Sequence, residues 1–254
     1  MLLLENVCKN FGGLPALNAV SFRVPAGQIT ALIGPNGAGK STLINCITGV
    51  LHADSGAIHL RDIALSAAPA HMISRHGVAR TFQNLKLFER LSVLDNVLSG
   101  LNNDAGSSMC MAMLRLPYLR HRERQLKLRA LEALDNFGLA DKASWPAGVL
   151  AYGDKKRLEL ARATASKPRL LLLDEPVAGL NATETVTVAA QLRRLRTLGQ
   201  TILLVEHDME LVMELADQVV VLDSGTMIAR GTPAAVQCNP RVLEAYLGSM
   251  EATA

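Results

Sequence analysis

Short, wholly apolar runs alternate with longer stretches of helical period over most of this chain, and that alternation predicts the fold class. Residues 2–7, 17–24 and 28–33 read as strands, the last running straight into a glycine-rich loop. A helical pattern follows from Ser41 to about Gly49, and further strand signals fall at 56–60 and 78–82. From about Leu85 to Val149 the character changes. LSVLDNVLSGL reads as one helix and RHRERQLKLRALEALDNFGL as a longer, charged one; NNDAGSSMCMAMLRLP between them has no clean period and reads as a loop. After Leu150 the alternation resumes: RLLLLDE, TILLVEH, QVVVLDS and MIARG as strands, helices between the first three, and two short helices in TPAAVQ and NPRVLEAYLG. Apolar strands separated by helices make a mostly parallel sheet covered on both faces. The chain is therefore α/β, interrupted by a mainly helical insertion.

Composition narrows the class. The 254 residues suffice for one large α/β domain or one domain with an insertion, and 49% apolar content supplies a core. Aromatics are only 4%, so packing leans on Leu, Val, Ile and Ala. A net charge of +3 is too small to argue for nucleic acid. Cys8, Cys46, Cys110 and Cys238 form no C-x-x-C pair, which argues against a zinc site or a disulfide framework and fits a reducing compartment. MLLLENV lacks the basic region of a signal peptide, and no run approaches the ~18 apolar residues of a membrane span. The expected location is the cytoplasm.

The chemistry lies at strand ends. Gly34-Pro35-Asn36-Gly37-Ala38-Gly39-Lys40-Ser41 fits the phosphate-loop pattern, between a strand and a helix. Its glycines let backbone N–H groups turn inward as an anion nest, and the following helix points its positive end at the same phosphates. Lys40 is expected to reach the β- and γ-phosphates, and the Ser41 hydroxyl to join the Mg²⁺ shell. With no N-K-x-D string to read guanine, the expected nucleotide is ATP. Leu170 to Leu173 form a buried-strand run ending in Asp174 and Glu175. Carboxylates at that end of a parallel strand lie where α/β sheets bind ligands. Asp174 suits Mg²⁺, and Glu175 suits a general base acting on the attacking water. TILLVEHD repeats the design and places His207 where it would touch the γ-phosphate.

LAYGDKKRLELARA, from Leu150 to Ala163, poses a puzzle: Lys155, Lys156 and Arg157 fall in what would be the first turn of a helix. Cations there oppose the helix dipole, at about 0.3–1 kcal/mol each when exposed. An anion arriving from elsewhere would resolve the conflict.

Taken in order, these motifs resemble those of the ATP-binding subunit of an ABC transporter, over nearly the whole chain. The resemblance implies a P-loop NTPase fold: a mainly parallel core sheet, an N-terminal antiparallel β part, and an inserted helical subdomain. The nucleotide-binding core would then comprise residues 1–84 and 151–254, with 85–150 as the insertion. Phe11 stands where the family places an aromatic that stacks on adenine, and Thr42 completes the phosphate-loop string GPNGAGKST. Gln83 in RTFQN matches the glutamine that contacts Mg²⁺ and water. Ala151, Tyr152, Gly153 and Asp154 occupy the signature position, where LSGGQ is usual, and Asn181 stands where the D-loop usually ends in Asp.

The family's working unit pairs two cassettes head to tail, each ATP lying between one phosphate loop and the other's signature helix, so the anion at LAYGD would be a partner's γ-phosphate. VARTFQNLKLFERLSVLDNV, LAYG, AGLN and NPRVLEAYLG together resemble the subunit of branched-chain amino-acid importers; urea or amide importers would fit the same subgroup. That resemblance implies a second, different ATPase subunit, two membrane permeases, a periplasmic binding protein reached indirectly, and a peripheral seat on the inner face of the membrane. Ala151 removes a hydroxyl donor, and Asp154 would repel phosphate unless it faced the ribose. Asn181 is expected to cap the next helix, because Glu184 follows at capping-box spacing.

Overall fold

A computed structural model describes residues 1–81, 85–101 and 117–251. Gln83, Cys110 and nearly all of the 102–117 stretch expected to form a loop lie outside these residues. The chain gathers into two compact units: residues 1–80, 169–175 and 192–254 form the first, and residues 81–168 and 176–191 the second.

The first unit holds both sheets. Strands β1 (Leu2–Phe11), β2 (Leu14–Val24), β4 (Ser55–Leu60) and β5 (Ile63–Ala64) form an antiparallel sheet in the order β2-β1-β4-β5. The hairpin β1–β2 turns on Gly12-Gly13, both at positive φ, and pairs Phe11 with Leu14, so these strands run beyond the spans read from the sequence. The larger sheet has the order β10-β9-β3-β8-β7-β6. It comprises β3 (Ile29–Ile33), β6 (Val78–Arg80), β7 (Leu170–Asp174), β8 (Thr201–Val205), β9 (Gln218–Asp223) and β10 (Thr226–Gly231). Every pairing in it is parallel except that of β9 with β10.

Strands β3, β7 and β8 are buried at every residue, as continuous apolar runs demand when both faces are covered. The alternation of side chains along each strand divides the core. Leu32, Val220 and Leu222 point into one cluster with α1 (Lys40–Ile47) and the antiparallel sheet. Ala31, Ile33, Val219 and Val221 point into the other. There they meet Val212 of α7 (Met209–Leu215), Val236 of α8 (Pro233–Gln237) and Val242 of α9 (Pro240–Glu251). The short helix α2 (Ala70–Arg75), which the sequence pattern did not reveal, buries only Ile73.

The second unit is helical. It contains α3 (Val93–Gly100), α4 (Pro117–Asn136), α5 (Tyr152–Thr164) and the first part of α6 (Ala182–Thr197). Ser92 caps α3 by accepting from the Asp95 N–H, a stop-start signal of the usual kind. Asn96, fully buried on α3, is satisfied: its amide donates to the carbonyls of Phe88 (3.0 Å) and Ser92 (2.9 Å), and its oxygen accepts from the Phe88 N–H (2.8 Å).

Candidate active site

The strand order sets the site. β3, β8 and β7 are adjacent and parallel, so the loop after β3, His207 after β8, and Asp174 and Glu175 at the end of β7 share one sheet edge.

The phosphate loop is built by exclusion. Gly34 has φ +150°, and a Cβ there would lie 2.1 Å from the carbonyl oxygen of Leu222 on β9. Gly37, at φ +81°, has nothing within 4 Å of where a Cβ would stand, so its backbone faces open space. Asn36, Gly37 and Ser41 are exposed, Pro35 and Thr42 half-buried, and Ala38 buried. Gly39 precedes α1 in the left-handed conformation, with no side-chain cap and no acidic residue in the first helical turn. The first-turn N–H groups thus keep their dipole for an anion. Lys40 Nζ donates to the carbonyls of Gly34 (2.6 Å) and Pro35 (2.9 Å). Burial pulls the Lys40 ammonium below its ordinary value, while the charges of Glu175 and Asp174 oppose that shift, which puts all three groups within electrostatic reach.

Asp174 is buried and ion-paired with Arg80 of β6, Nη2 to Oδ2, at 3.0 Å. Glu175 adopts φ +50°, a left-handed conformation that costs a non-glycine residue about 1–2 kcal/mol. It is held there by the sheet: its N–H donates to the Val205 carbonyl at 2.9 Å. Strain of this kind at a strand end accompanies a side chain that must be aimed. His207 Nδ1 stands 3.8 Å from Glu175 Oε1, on a largely exposed ring. The next residue, Asp208, does a different job: it caps α7 by accepting from the Leu211 N–H at 3.1 Å. Phe11 is half-exposed at the end of β1, with Lys9 Nζ 5.7 Å from its ring centroid.

The signature residues belong to the second unit. Ala151 and Tyr152 are exposed, whereas Gly153 and Asp154 are buried. The Tyr152 hydroxyl donates to the Ala178 carbonyl at 3.2 Å, and Gly179 lies against its ring. Asp154 is buried in ion pairs with Lys142, at 2.5 Å, and with Arg157. Burial pushes its carboxyl up, but the hydrogen bond from Lys142 and the charges of Arg157 and Lys142 outweigh it and hold the pKa below the usual range. The three cations that looked misplaced are likewise engaged within the unit. Arg157 pairs with Asp154 and donates to the Phe137 carbonyl at 3.1 Å, Lys155 lies 3.7 Å from Glu89, and Lys156 is buried. An acid in the first turn of α5 answers both its dipole and its cations.

The expected cap is present: Asn181 Oδ1 accepts from the Glu184 N–H (3.0 Å) and Glu184 Oε2 accepts from the Asn181 N–H (3.1 Å). The second carboxylate oxygen of Glu184 stands against Gly153. Neither this contact nor the grip of Arg80 on Asp174 was drawn from the sequence. Residue spacing carries no signal for pairs that meet only through the fold, although Arg80 lies inside the VARTFQ string.

A glycine-built anion loop, two carboxylates and a histidine on one edge of a parallel sheet define a P-loop nucleoside-triphosphatase cassette. The ABC transporter profile matches residues 17–178, and that of the branched-chain amino acid ATP-binding cassette transporters matches residues 226–252. The chain is 41% identical over 249 residues to the high-affinity branched-chain amino acid transport ATP-binding protein BraF of Pseudomonas aeruginosa, covering 98% of each. It is equally similar, with the same coverage, to LivG of Escherichia coli, which carries the same description. Among solved structures, the ADP conformation of an ATP-binding cassette from an ABC transporter superposes with a TM-score of 0.85 at 32% identity, covering 98% of both chains. A nucleotide-free cassette superposes with a TM-score of 0.84 at 32% identity, covering 97% of this chain and 98% of that one. The chain belongs to the ABC transporter family of ATPases.

Proposed function

We propose that this ATPase powers uptake of branched-chain amino acids through partner membrane permeases. The observation that carries the reading is similarity at 41% identity along 98% of the chain to proteins described by that transport. The match of the C-terminal residues 226–252 to the branched-chain subgroup supports it.

The residues support a division of labour. The phosphate loop from Gly34 to Thr42 holds the phosphates of ATP, with Lys40 exchanging its two carbonyl partners for phosphate oxygens. Phe11 offers its exposed face to the adenine. Ser41, Asp174 and Gln83 would hold Mg²⁺. The donor set fits that ion: Asp174 brings one carboxylate to the sheet edge that carries the phosphate loop, and Mg²⁺ typically takes one or two carboxylates plus substrate phosphates. When bound, Mg²⁺ neutralises charge developing on the phosphates. Glu175 accepts a proton from the attacking water, and His207, beside it, orients that water and the γ-phosphate.

The cassette works in a head-to-tail pair with a second, different cassette, whose γ-phosphate meets Ala151, Tyr152 and Gly153 of this chain. No helix among the described residues is long and apolar enough to cross a membrane, and the translocation path in this reading is formed by two membrane permeases. The pair sits on the inner face of the membrane, with a periplasmic binding protein delivering solute to the far side. Reconstitution with two permeases and the partner cassette tests the proposal. ATP-dependent leucine uptake that Lys40→Ala abolishes is expected; uptake of urea or amides but not of leucine would contradict it.

A further inference from the structure

Arg80 is the last residue of β6, three positions before Gln83, and its guanidinium joins three elements of the first unit. Nη1 donates to Asn45 Oδ1 (2.7 Å) and Thr48 Oγ1 (3.4 Å) on and just after α1, the helix that opens at the phosphate loop. Nη2 donates to Asp174 Oδ2 at 3.0 Å. Both partners of the ion pair are largely withdrawn from water, with side-chain exposures of 13% and 11%. Removing one member of such a pair leaves an uncompensated charge in a low-dielectric place. The geometry is specific to arginine, because one planar fork pins to α1 and to β7 at once.

The charge balance at this edge gives the pair a role. Asp174 and Glu175 are two carboxylates close enough to act on Lys40. An incoming triphosphate adds further negative charge, and unscreened carboxylates would repel it. Mg²⁺ relieves that repulsion once present, and it is taken up largely together with the substrate phosphates. A fixed cation on Asp174 removes the dependence.

We propose that Arg80 is a resident counter-ion of the phosphate site: it neutralises Asp174 whenever no divalent cation does, so that a nucleotide can enter before its metal and stay after the metal has left. Arg80 is thus a positioning residue acting through Asp174, and the inference rests on reading Asp174 as the metal-binding carboxylate.

The test compares the affinity of the full chain for a non-hydrolysable ATP analogue in excess Mg²⁺ and in EDTA. Wild type binds in both. Arg80→Met is expected to lose about tenfold in EDTA, where neither the guanidinium nor a divalent cation offsets the Asp174 charge, and less than threefold in Mg²⁺. Arg80→Lys keeps the charge and stays within about threefold of wild type in both. Adding Asp174→Asn to Arg80→Met removes the EDTA-specific loss. Should Arg80→Met melt at the assay temperature, Arg80→Gln, whose amide can still meet Asn45, is expected to show the same EDTA-specific loss. Equal losses in both buffers, or a loss that survives Asp174→Asn, would overturn the proposal. A wild-type chain that binds the analogue in neither buffer would instead overturn the functional reading on which it rests.

Discussion

Gly153, in the first turn of the signature helix, and Glu184, in the first turn of the helix after the D-loop, fill one another's space: a Cβ on Gly153 would lie 2.2 Å from Glu184 Oε1. Glu184 also holds Asn181 in the reciprocal cap. A side chain at position 153 would therefore displace a carboxylate of its own chain, quite apart from any phosphate that approaches. Gly153→Ala is expected to lower stability by about 1–3 kcal/mol through overpacking and to weaken the cap. Glu184→Ala removes the obstacle at the cost of the cap. The double variant is expected to be at least about 1 kcal/mol more stable than the two single effects added together. Urea unfolding of all four chains measures this coupling.

Asp154 makes a pH prediction. Its folded pKa is depressed by Lys142 and Arg157, so its contribution is complete above the unfolded carboxylate pKa, about 3.9. That contribution is lost as pH falls through the lower folded value. At neutral pH, Asp154→Asn should cost about 1–3 kcal/mol by stranding two cations, and less at pH 3 than at pH 7. Urea melts at the two pH values check the sign, and ATPase activity of the folded variant is expected to change only modestly.

The phosphate-loop glycines should separate by cause. Gly34→Ala collides with the Leu222 carbonyl, whereas Gly37→Ala meets nothing and pays only for its backbone angle. The second should cost about 1–2 kcal/mol and the first clearly more. Thermal melts of both variants decide.

Glu175 is expected to trade stability for activity. Glycine at φ +50° relieves about 1–2 kcal/mol of strain and loses about 0.5–1 kcal/mol to chain entropy. Glu175→Gly should therefore be at least as stable as wild type in urea, by up to about 1.5 kcal/mol, while failing to hydrolyse ATP.

How much of this could be read beforehand follows the range of each interaction. The strand–loop–helix unit around Lys40 and the strand ends at Asp174 and His207 were legible, because apolar period and local spelling carry them. So was the Asn181–Glu184 cap, three residues across. The local partners of the cations at 155–157 were not legible. Arg157 and Asp154 lie at i, i+3 on one helix, a spacing that signals a pair, but Lys142 comes from before the helix and gives no such sign. Helix α2 buries a single side chain and so leaves almost no period. Arg80 meets Asp174 across 94 residues, only because β6 and β7 pair in register.

The most direct test of the central claim is the rate of phosphate release from MgATP by the pair this chain forms with its partner cassette, the partner's own phosphate loop disabled in both samples, wild type against Glu175→Gln. The variant should bind the nucleotide as well as wild type and release phosphate at least about 100-fold more slowly, the loss expected when a general base is removed. Equal rates would contradict the assignment of Glu175 and, with it, this account of the site.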